Sequence, residues 1–277
     1  MKVTYLGPKG SYTSMIAEKL FFDEELIPMQ PISRVVDGVE RGMAERAVVP
    51  LENFYNGIVT QTIDALLRCD KAKIVGETYS KIEHCLGALP GHSRIEKILS
   101  KDQALEQCSD YLSKNYADVF AVPVDSTSAA VEIIRRENML NAAAIASKEA
   151  LQNSQFEIIE ENICPNNKTR FAIIGEGLTA PTGNDKTLLA IHPPMDRVGI
   201  LNEIVTRISR HCINMEYIQS RPDGNGGYRF IVEIDKHAQD SSLSIIGDEL
   251  ANRWKSKDRK FIKVLGSYKD RGWKNAD

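Results

Sequence analysis

The sequence predicts two domains, an α/β domain followed by a smaller α+β domain. From Lys2 to about Gly177, apolar runs typical of strands alternate with amphipathic runs typical of helices. This is the pattern of an α/β fold with mostly parallel strands. Residues 178–186 are polar and contain Pro181 and Gly183, so we place a linker there. Residues 187–268 then follow the order β-α-β-β-α-β, which predicts a ferredoxin-like sandwich.

In the first domain, strands are predicted from short apolar and β-branched runs, and helices from apolar residues three and four positions apart. The predicted strands are 3–6, 47–49, 85–89, 119–122, 143–146 and 171–174. The predicted helices are 12–22, 33–43, 59–67, 103–112 and 128–136.

The same criteria assign the second domain. Its predicted strands are 187–192, 215–220, 228–234 and 261–265, and its predicted helices are 198–211 and 243–253, with a turn at 222–227. The size of this module suits pairing with a copy of itself. The charged residues 269–277 are predicted to form a frayed tail.

Composition excludes several classes of protein. The 277 residues include 35 basic and 38 acidic side chains, so the net charge of -3 favours neither nucleic acid nor an anionic membrane as a partner. No apolar run has the length of a membrane span, and the first residues enter a strand pattern without a signal peptide. The five cysteines are scattered and the five histidines lack ligand spacing, so we expect no metal site and a reducing, cytoplasmic setting.

The segment Thr169-Arg170-Phe171 is the first candidate for chemistry. It follows a polar Asn-Asn turn and leads into the apolar run Ala172-Ile173-Ile174, which predicts a strand start. A threonine can donate a hydrogen bond, and an arginine can bind a carboxylate through two parallel bonds. On its own, such a pair more often lies on the protein surface without a catalytic role.

Two segments near the beginning of the chain are candidate anion or polar sites. Gly10 and Ser11 lie between the first strand and the first helix, where unpaired N–H groups and the helix dipole favour an anion. An ordinary helix cap is the more common explanation of such a segment. Glu52 and Asn53 follow the strand 47–49, and there Glu52 is an acid, a ligand for an ammonium group or an ordinary capping carboxylate.

Two further segments place hydroxyl groups after strands. Ser126, Thr127 and Ser128 begin a predicted helix, and Ser147 ends the strand 143–146. One capping hydroxyl is routine, whereas three in a row suggest a ligand. Because ligands of doubly wound sheets bind at the carboxyl ends of strands, the clustering of these segments favours a shared site.

Segments along nearly the whole chain match the order of motifs in a known family. They are Gly7-Pro8-Lys9-Gly10-Ser11-Tyr12, Val49-Pro50-Leu51-Glu52-Asn53, Ser100 with Gln103-Ala104-Leu105 and Gln107-Cys108, Ser126 to Ala130, Ala143 to Ser147, Asn167 with Thr169-Arg170-Phe171, Gly199-Ile200-Leu201 and Ser220-Arg221-Pro222. On these residues the chain resembles prephenate dehydratases that carry a C-terminal ACT regulatory domain.

The resemblance implies a bilobed catalytic domain, 1–177, with the active site in a cleft and an architecture similar to periplasmic solute-binding proteins. Lobe 1 would contain about 1–76 and 156–177, and lobe 2 about 77–155. The linker 178–186 would lead to an ACT domain at 187–268. The strand that carries Thr169 would then return to lobe 1 and face Ser126 across the cleft.

The implied reaction removes water and carbon dioxide from prephenate to give phenylpyruvate, and formation of the aromatic ring drives it without a cofactor. Hydroxide leaves poorly without a proton or a strong hydrogen bond, and the resemblance assigns that donor to Thr169. Its own pKa is too high for a conventional acid, so a directed hydrogen bond or relay is expected. The residues expected to bind substrate are Gly10, Ser11, Glu52, Asn53, Ser126, Thr127, Ser147, Arg170 and Phe171.

The resemblance also implies feedback by phenylalanine. The effector site would lie between the ACT domains of two subunits, in a homodimer or a dimer of dimers. One subunit would contribute Gly199, Ile200 and Leu201, and the other would contribute Gln219, Ser220, Arg221 and Pro222. From the residues alone, a helix-start turn at Gly199 and a strand end at Pro222 explain these segments as well.

Three residues depart from the family pattern. Phe54 replaces a serine and puts an apolar ring beside the expected cleft, and Lys101 replaces a histidine. Gln219 replaces a glutamate that would pair with the ammonium of phenylalanine, so we expect weaker or altered feedback. The alternatives left open are an arogenate dehydratase, decarboxylation with retention of the hydroxyl, and a sensor without turnover; an exported solute-binding protein would need a signal segment.

Overall fold

The structure, a computed structural model, describes residues 1–224, 226–257 and 260–272. Its strands form two sheets. The smaller sheet is built from the middle of the chain, and the larger sheet combines strands from the beginning, the middle and the C-terminal part. This division creates two lobes with a cleft between them.

The elements of the first 176 residues include every strand and helix that positions the cleft. In chain order they are β1 Lys2–Leu6, α1 Tyr12–Leu20, β2 Glu25–Met29, α2 Ile32–Glu40, β3 Arg46–Asn53, β4 Gly57–Ile58, α3 Thr60–Arg68, β5 Ala72–Lys81, β6 Cys85–Ala88, β7 Lys97–Lys101, α4 Asp102–Gln107, α5 Ser109–Asn115, β8 Phe120–Val124, α6 Thr127–Arg136, β9 Ala142–Ala146, α7 Lys148–Asn153, β10 Glu157–Glu160 and β11 Lys168–Glu176.

Lobe 1 contains the strand order β2-β1-β3-β11-β5, and lobe 2 contains the order β10-β6-β9-β7-β8. The prediction of mostly parallel strands is wrong, because β11 runs antiparallel to both β3 and β5, and β6 runs antiparallel to both β9 and β10. These strands lie near the two crossings between lobes. There the chain enters each sheet without a βαβ crossover, so the entering strand runs antiparallel to its neighbours.

The predicted lobe boundaries at 76/77 and 155/156 fall too early in the chain. Strand β5 continues in the sheet of lobe 1 to Lys81, and β10 pairs with β6 in the sheet of lobe 2. The predicted helix 103–112 is divided at Cys108, which ends α4 and precedes α5. Strands β2, β5, β7 and β10 were not predicted, because their polar residues interrupt the apolar runs.

The C-terminal part has the predicted order β-α-β-β-α-β. Its elements are β12 Asp185–Ile191, α8 Ile200–Arg210, β13 Met215–Pro222, β14 Tyr228–Ile234, α9 Ser241–Trp254 and β15 Ile262–Lys269. The strands are arranged in the order β13-β14-β12-β15 with antiparallel neighbours. Residue 269 of the predicted tail still belongs to β15, whereas residues 273–277, like position 225 of the predicted turn, lie outside the described residues.

The C-terminal sheet buries both of its faces. One face packs against α8 and α9 through a core that includes Ile204, Leu250 and Trp254. The opposite face shares a core with lobe 1, in which Leu265 and Tyr268 lie with Ile63 and other buried residues. The C-terminal domain is therefore attached to lobe 1 by a continuous apolar core. None of the helices in the described part of the chain is long and apolar enough to cross a bilayer.

The two parts of the larger sheet meet where β15 lies beside β5. Gly266 is paired there with Ile74 in parallel register. A Cβ atom at position 266 would lie 2.6 Å from the carbonyl oxygen of Ile74 and closer still to its Cβ. A glycine at this position thus permits the close approach of the two strands.

We expect Gly266→Ala to lower the free energy of unfolding by about 1–3 kcal/mol, because the added methyl group forces β15 away from β5. Chemical denaturation monitored by circular dichroism measures this change. Gly76→Ala is the matched control on β5, since a Cβ there would make an ordinary 3.5 Å contact with Ile173. Equal stability of the two variants would contradict the proposed close approach.

Candidate active site

A cleft of about 740 Å³ lies between the two lobes. Lobe 1 contributes Thr169 and Phe171 from β11 and Asn53 from β3, and lobe 2 contributes residues on α4 and α6. The lining residues from lobe 1 are Leu6, Gly7, Pro8, Ser11, Tyr12, Thr13, Gln30, Pro31, Ile32, Pro50, Asn53, Asn56, Gly57, Ile58, Val59, Thr60, Gln61, Thr169 and Phe171. Those at the lobe crossing or from lobe 2 are Ile82, His84, Lys101, Gln103, Ala104, Gln107, Asp125, Ser126 and Thr127.

The N-terminal ends of five helices, α1, α2, α3, α4 and α6, are among the segments that line the cleft. The first N–H groups of a helix have no intrahelical acceptor, and the helix dipole places partial positive charge there. Among the charged lining residues, Lys101 before α4 is positive and Asp125 before α6 is negative, so the excess of positive potential comes from the helix N-termini. The cleft is therefore suited to a ligand with more than one negative charge.

Ser11 and Ser126 cap two of these helices. The Oγ of Ser11 accepts from the N–H of Ser14 at 3.2 Å and donates to the carbonyl oxygen of Leu6 at 3.2 Å. The Oγ of Ser126 accepts from the N–H of Ala129 at 3.0 Å. Because the Ser11 hydroxyl is engaged in both directions, this segment can offer backbone N–H groups rather than the hydroxyl to a ligand.

Thr169 is almost fully buried and lies at the base of the cleft. Its Oγ1 accepts a hydrogen bond of 2.9 Å from Nδ2 of Asn53. The orientation of the Asn53 amide is set by the backbone, since its Oδ1 accepts from the N–H groups of Tyr55 at 3.0 Å and Asn56 at 3.3 Å. With its oxygen occupied as an acceptor, the Thr169 hydroxyl can direct its own hydrogen toward a ligand in the cleft.

A ring of three amides supports Asn53. Nδ2 of Asn53 donates to Oδ1 of Asn167 at 2.8 Å, and Nδ2 of Asn167 donates to Oε1 of Gln107 at 2.9 Å. Nε2 of Gln107 then donates to Oδ1 of Asn53 at 3.0 Å. Because Gln107 belongs to lobe 2, this ring connects the lobes directly behind Thr169.

His84 extends the ring. The residue is buried, and its Nε2 lies 3.1 Å from Oε1 of Gln107, while its Nδ1 lies 3.4 Å from the hydroxyl of Tyr12. Since Oε1 of Gln107 is an acceptor, Nε2 of His84 carries the hydrogen. Burial lowers the pKa of His84, which favours this neutral form.

Sequence reasoning gave no role in the site to Asn167, Gln107 or His84. Asn167 and Gln107 lie in segments of the family resemblance, which was the available signal. A lone histidine carries no spacing signal, so His84 could be found only from the fold.

Arg170 and Glu52 do not line the cleft, which corrects their prediction as substrate-binding residues. They are cross-strand partners on β11 and β3, and both side chains point to the face opposite Thr169 and Asn53. The guanidinium of Arg170 is 2% exposed and binds carboxylates of the protein itself. Burial raises the pKa of the Glu52 carboxyl, and the neighbouring Arg170 opposes that change.

Ser147, Gly10 and Phe54 also lie outside the cleft lining. Ser147 is buried in lobe 2, where its Oγ caps α7 by accepting from the N–H of Ala150 at 3.2 Å. Gly10 is exposed and has the positive φ of 80° that its turn requires. Phe54 is 62% exposed, and its ring packs on Tyr55 with a centroid distance of 5.7 Å. The expected roles of Ser147 and Gly10, and the effect of Phe54 on the cleft, are corrected accordingly.

The segments predicted to bind an effector lie in the C-terminal domain. Gly199 precedes α8 with φ 86°, and in the helix Ile200 is buried and Leu201 is exposed. Gln219, Ser220, Arg221 and Pro222 form the end of β13. Arg221 does not point into open solvent, because its Nη2 binds both carboxylate oxygens of Asp64 on α3 at 2.9 Å.

Comparison with known proteins identifies relatives along the full length of the chain. Residues 3–178 match the family model described as prephenate dehydratase. The chain is 34% identical over 276 residues to a prephenate dehydratase of Lactococcus lactis subsp. cremoris, which covers 97% of each protein. It is 35% identical to a bifunctional chorismate mutase/prephenate dehydratase of Aquifex aeolicus, covering 97% of this chain and 73% of that one.

A solved structure shows the same architecture. The prephenate dehydratase from Arthrobacter aurescens, in complex with L-Phe, superposes with a TM-score of 0.85 at 29% identity. The match covers 98% of this chain and 90% of that chain.

Proposed function

The chain belongs to the prephenate dehydratase family, and we propose that the interlobe cleft is where its substrate, prephenate, loses hydroxide and carbon dioxide to become phenylpyruvate. The observation that carries this proposal is the Thr169 hydroxyl, which is held by Asn53 so that its hydrogen is left for the ligand. The enzyme is therefore a lyase whose central group is a hydrogen-bond donor.

The charge of the cleft supports binding of prephenate, which carries two carboxylates. Five helix N-termini and Lys101 supply positive potential around a cavity with apolar lining residues such as Ile82 and Phe171. We propose that the backbone N–H groups after Ser11 and Ser126, and the ammonium of Lys101, bind these carboxylates.

The reaction needs no reactant besides prephenate, which gives phenylpyruvate, carbon dioxide and hydroxide. The bond between the ring and its carboxylate breaks, carbon dioxide leaves, and the electron pair enters the ring. The ring then expels hydroxide from the opposite carbon, and phenylpyruvate keeps one negative charge. A hydrogen bond from Thr169 to the departing oxygen stabilises its developing charge. The ring carboxylate must be bound loosely, because tight binding of the ground state would raise the barrier to forming neutral carbon dioxide.

Incubation of the purified enzyme with prephenate tests this function. We expect formation of phenylpyruvate and carbon dioxide in equal amounts. A parallel reaction with arogenate shows which of the two compounds the enzyme converts faster. Carbon dioxide release without formation of the aromatic product, or no turnover at all, would contradict the proposal.

We further propose that the C-terminal domain is a ferredoxin-like ACT module that binds phenylalanine. Its element order and the strand order β13-β14-β12-β15 support this assignment. The structure of the Arthrobacter aurescens relative is of a complex with L-Phe. Among the described residues, Oε1 of Gln219 is buried without a hydrogen-bond partner, so it can accept from the ammonium of an amino acid.

A homodimer, or a dimer of dimers, completes the proposed effector site. Strand β13 is the terminal strand of the larger sheet as described, and Leu201 and Ile218 are exposed apolar side chains of this domain. An exposed edge strand is a template for pairing with a second copy. Analytical ultracentrifugation should give at least twice the mass of one chain, and a monomer with full phenylalanine sensitivity would contradict the shared site.

Cysteine chemistry supports the proposed cytoplasmic setting. All five cysteines are free, and four of them are buried. Free thiols are typical of proteins in reducing compartments.

We expect Gln219→Glu to strengthen feedback and to lower the half-inhibitory phenylalanine concentration about five-fold, because a charged acceptor binds an ammonium more tightly than an amide does. Titration of the prephenate assay with phenylalanine measures this change. Met215→Leu, at the other end of β13 and outside the segment assigned to the effector, is the control for a general disturbance of this strand. An unchanged or higher half-inhibitory concentration in Gln219→Glu would show that position 219 does not bind the ammonium.

A further inference from the structure

Arg170 joins the two domains of the enzyme. Its Nε binds Glu77 of β5 at 2.7 Å, and its Nη1 lies 3.3 Å from Glu52 of β3. Nη1 and Nη2 bind the two carboxylate oxygens of Glu233 on β14 at 2.8 and 2.5 Å, and Nη2 also donates to the hydroxyl of Tyr268 on β15 at 2.8 Å. Glu233 and Tyr268 belong to the C-terminal domain, so the guanidinium bridges the domain boundary.

This arrangement depends on every partner. Arg170, Glu77, Glu233 and Tyr268 are almost completely buried. Removing one member of a buried ionic network leaves the others without compensation, so the remaining groups move or are destabilised. The Tyr268 hydroxyl also donates to Glu233 at 2.9 Å, which holds that carboxylate against Arg170.

Arg170 is also the residue between Thr169 and Phe171, both of which line the cleft. The register between β11 and β3 shifts between Arg170 and Phe171, whereas the pairing of the same residues with β5 is regular. A strand is held less firmly on the side where its ladder is irregular. On the β3 side, where Asn53 contacts Thr169, the position of the Thr169 hydroxyl therefore depends in part on how its neighbour Arg170 is anchored.

A second contact relates the same domain to the cleft. Arg221 of β13 binds Asp64 of α3, and the first residues of α3, Thr60 and Gln61, line the cleft. Thus the strands β13 and β14 contact β11 and α3, two of the lobe 1 elements that carry cleft residues. A shift of the C-terminal sheet would act on both elements.

We propose that Arg170 is a positioning residue through which Glu233 and Tyr268 of the C-terminal domain hold Thr169 in its productive place. The proposal rests on the proposed function, since it names the path by which phenylalanine bound to the C-terminal domain alters the chemical step. A small displacement of Glu233 changes the geometry of the Arg170 network and moves the donor hydroxyl relative to the departing oxygen. Misplacement by a fraction of an ångström lowers kcat rather than substrate binding.

The test compares Glu233→Gln and the milder Tyr268→Phe with the wild-type enzyme. Assays give kcat, KM and the inhibition at saturating phenylalanine, and calorimetry gives the binding of phenylalanine itself. Glu203→Gln is the matched control. Glu203 is a largely buried carboxylate whose described side-chain partners, Arg197, Arg253 and Trp254, all lie in the C-terminal domain.

We expect Glu233→Gln to lower kcat about ten-fold with KM changed less than about two-fold. Phenylalanine should still bind this variant but should no longer alter its kcat. Tyr268→Phe should show the same changes to a smaller degree, and it serves as the test if Glu233→Gln does not fold. Glu203→Gln should keep wild-type kcat even where its thermal stability falls.

Full inhibition by phenylalanine together with wild-type kcat in both variants would overturn the proposal. The proposal would also be overturned if Glu203→Gln lost as much kcat as the network variants for the same loss of thermal stability. The network would then have only a structural role. If the wild-type enzyme does not respond to phenylalanine, the proposed regulation is wrong, and Arg170 transmits no signal from an effector. The proposed positioning of Thr169 by Arg170 is then tested by the kcat and KM of the variants alone.

Discussion

Replacement of Thr169 by valine should lower kcat about 10²–10³-fold with little change in KM, which is the range expected for loss of a donor to a developing oxyanion. Valine keeps the shape and the β-branching of threonine but has no hydroxyl. Asn53 retains Asn167 as an acceptor when Oγ1 is lost, so the amide ring survives. Steady-state assays with prephenate measure the effect.

Thr169→Ser is the control for this prediction. Serine restores the hydroxyl without the methyl group, and we expect it to recover most of the lost activity. Equal activity of the valine and serine variants would show that the hydroxyl of residue 169 is not the donor.

Asn53→Asp should lower kcat about 10–10²-fold, because it reverses the hydrogen bond with Thr169 and removes the donor to Oδ1 of Asn167. The carboxylate can still accept from the N–H groups of Tyr55 and Asn56. It can no longer donate to Oγ1 of Thr169, so the Thr169 hydroxyl donates to the new carboxylate instead of to the substrate. The same kinetic assay, with circular dichroism as a check on folding, measures the change.

Asn56→Asp separates this effect from simple repulsion of a dianion. It places the same charge in the same turn of the cleft lining, but Asn56 does not bind Thr169, and its Oδ1 accepts from Gln103 and Gln107. We expect this control to raise KM and to leave kcat near the wild-type value. A parallel loss of kcat in both variants would mean that charge alone explains the effect.

The fold was predictable where the spacing of apolar residues within a single helix or strand identifies that element. The C-terminal order β-α-β-β-α-β was obtained from the sequence because its helices have apolar residues three and four positions apart, and its strands are apolar runs such as β14 or alternating runs such as β13. The lobe boundaries were not predicted correctly, because β5 and β10 contain both polar and apolar residues and lack a clear strand pattern. Whether such strands join one sheet or the other is decided by contacts distant in sequence.

The site shows the same division. Thr169, Asn53 and Ser126 were predicted to share a cleft and do line it. Arg170 was assigned to the substrate because it is adjacent to Thr169, yet adjacent residues of a strand point to opposite faces. Its partner Glu233 lies in the other domain and lacks a sequence signal. Gln107 and His84 reach Thr169 only through a ring of hydrogen bonds that folding assembles across the lobes.

We propose that the Thr169 hydroxyl faces the departing oxygen of prephenate. A crystal of Thr169→Val soaked with prephenate and flash-cooled within seconds tests it most directly, because the lowered kcat preserves the substrate over that time. The hydroxyl of prephenate should lie against residue 169, at a position that the wild-type Oγ1 would reach at about 2.6–3.2 Å, with the carboxylates at the helix N-termini. A prephenate hydroxyl directed away from residue 169 would contradict the role of Thr169 as the donor to the departing oxygen.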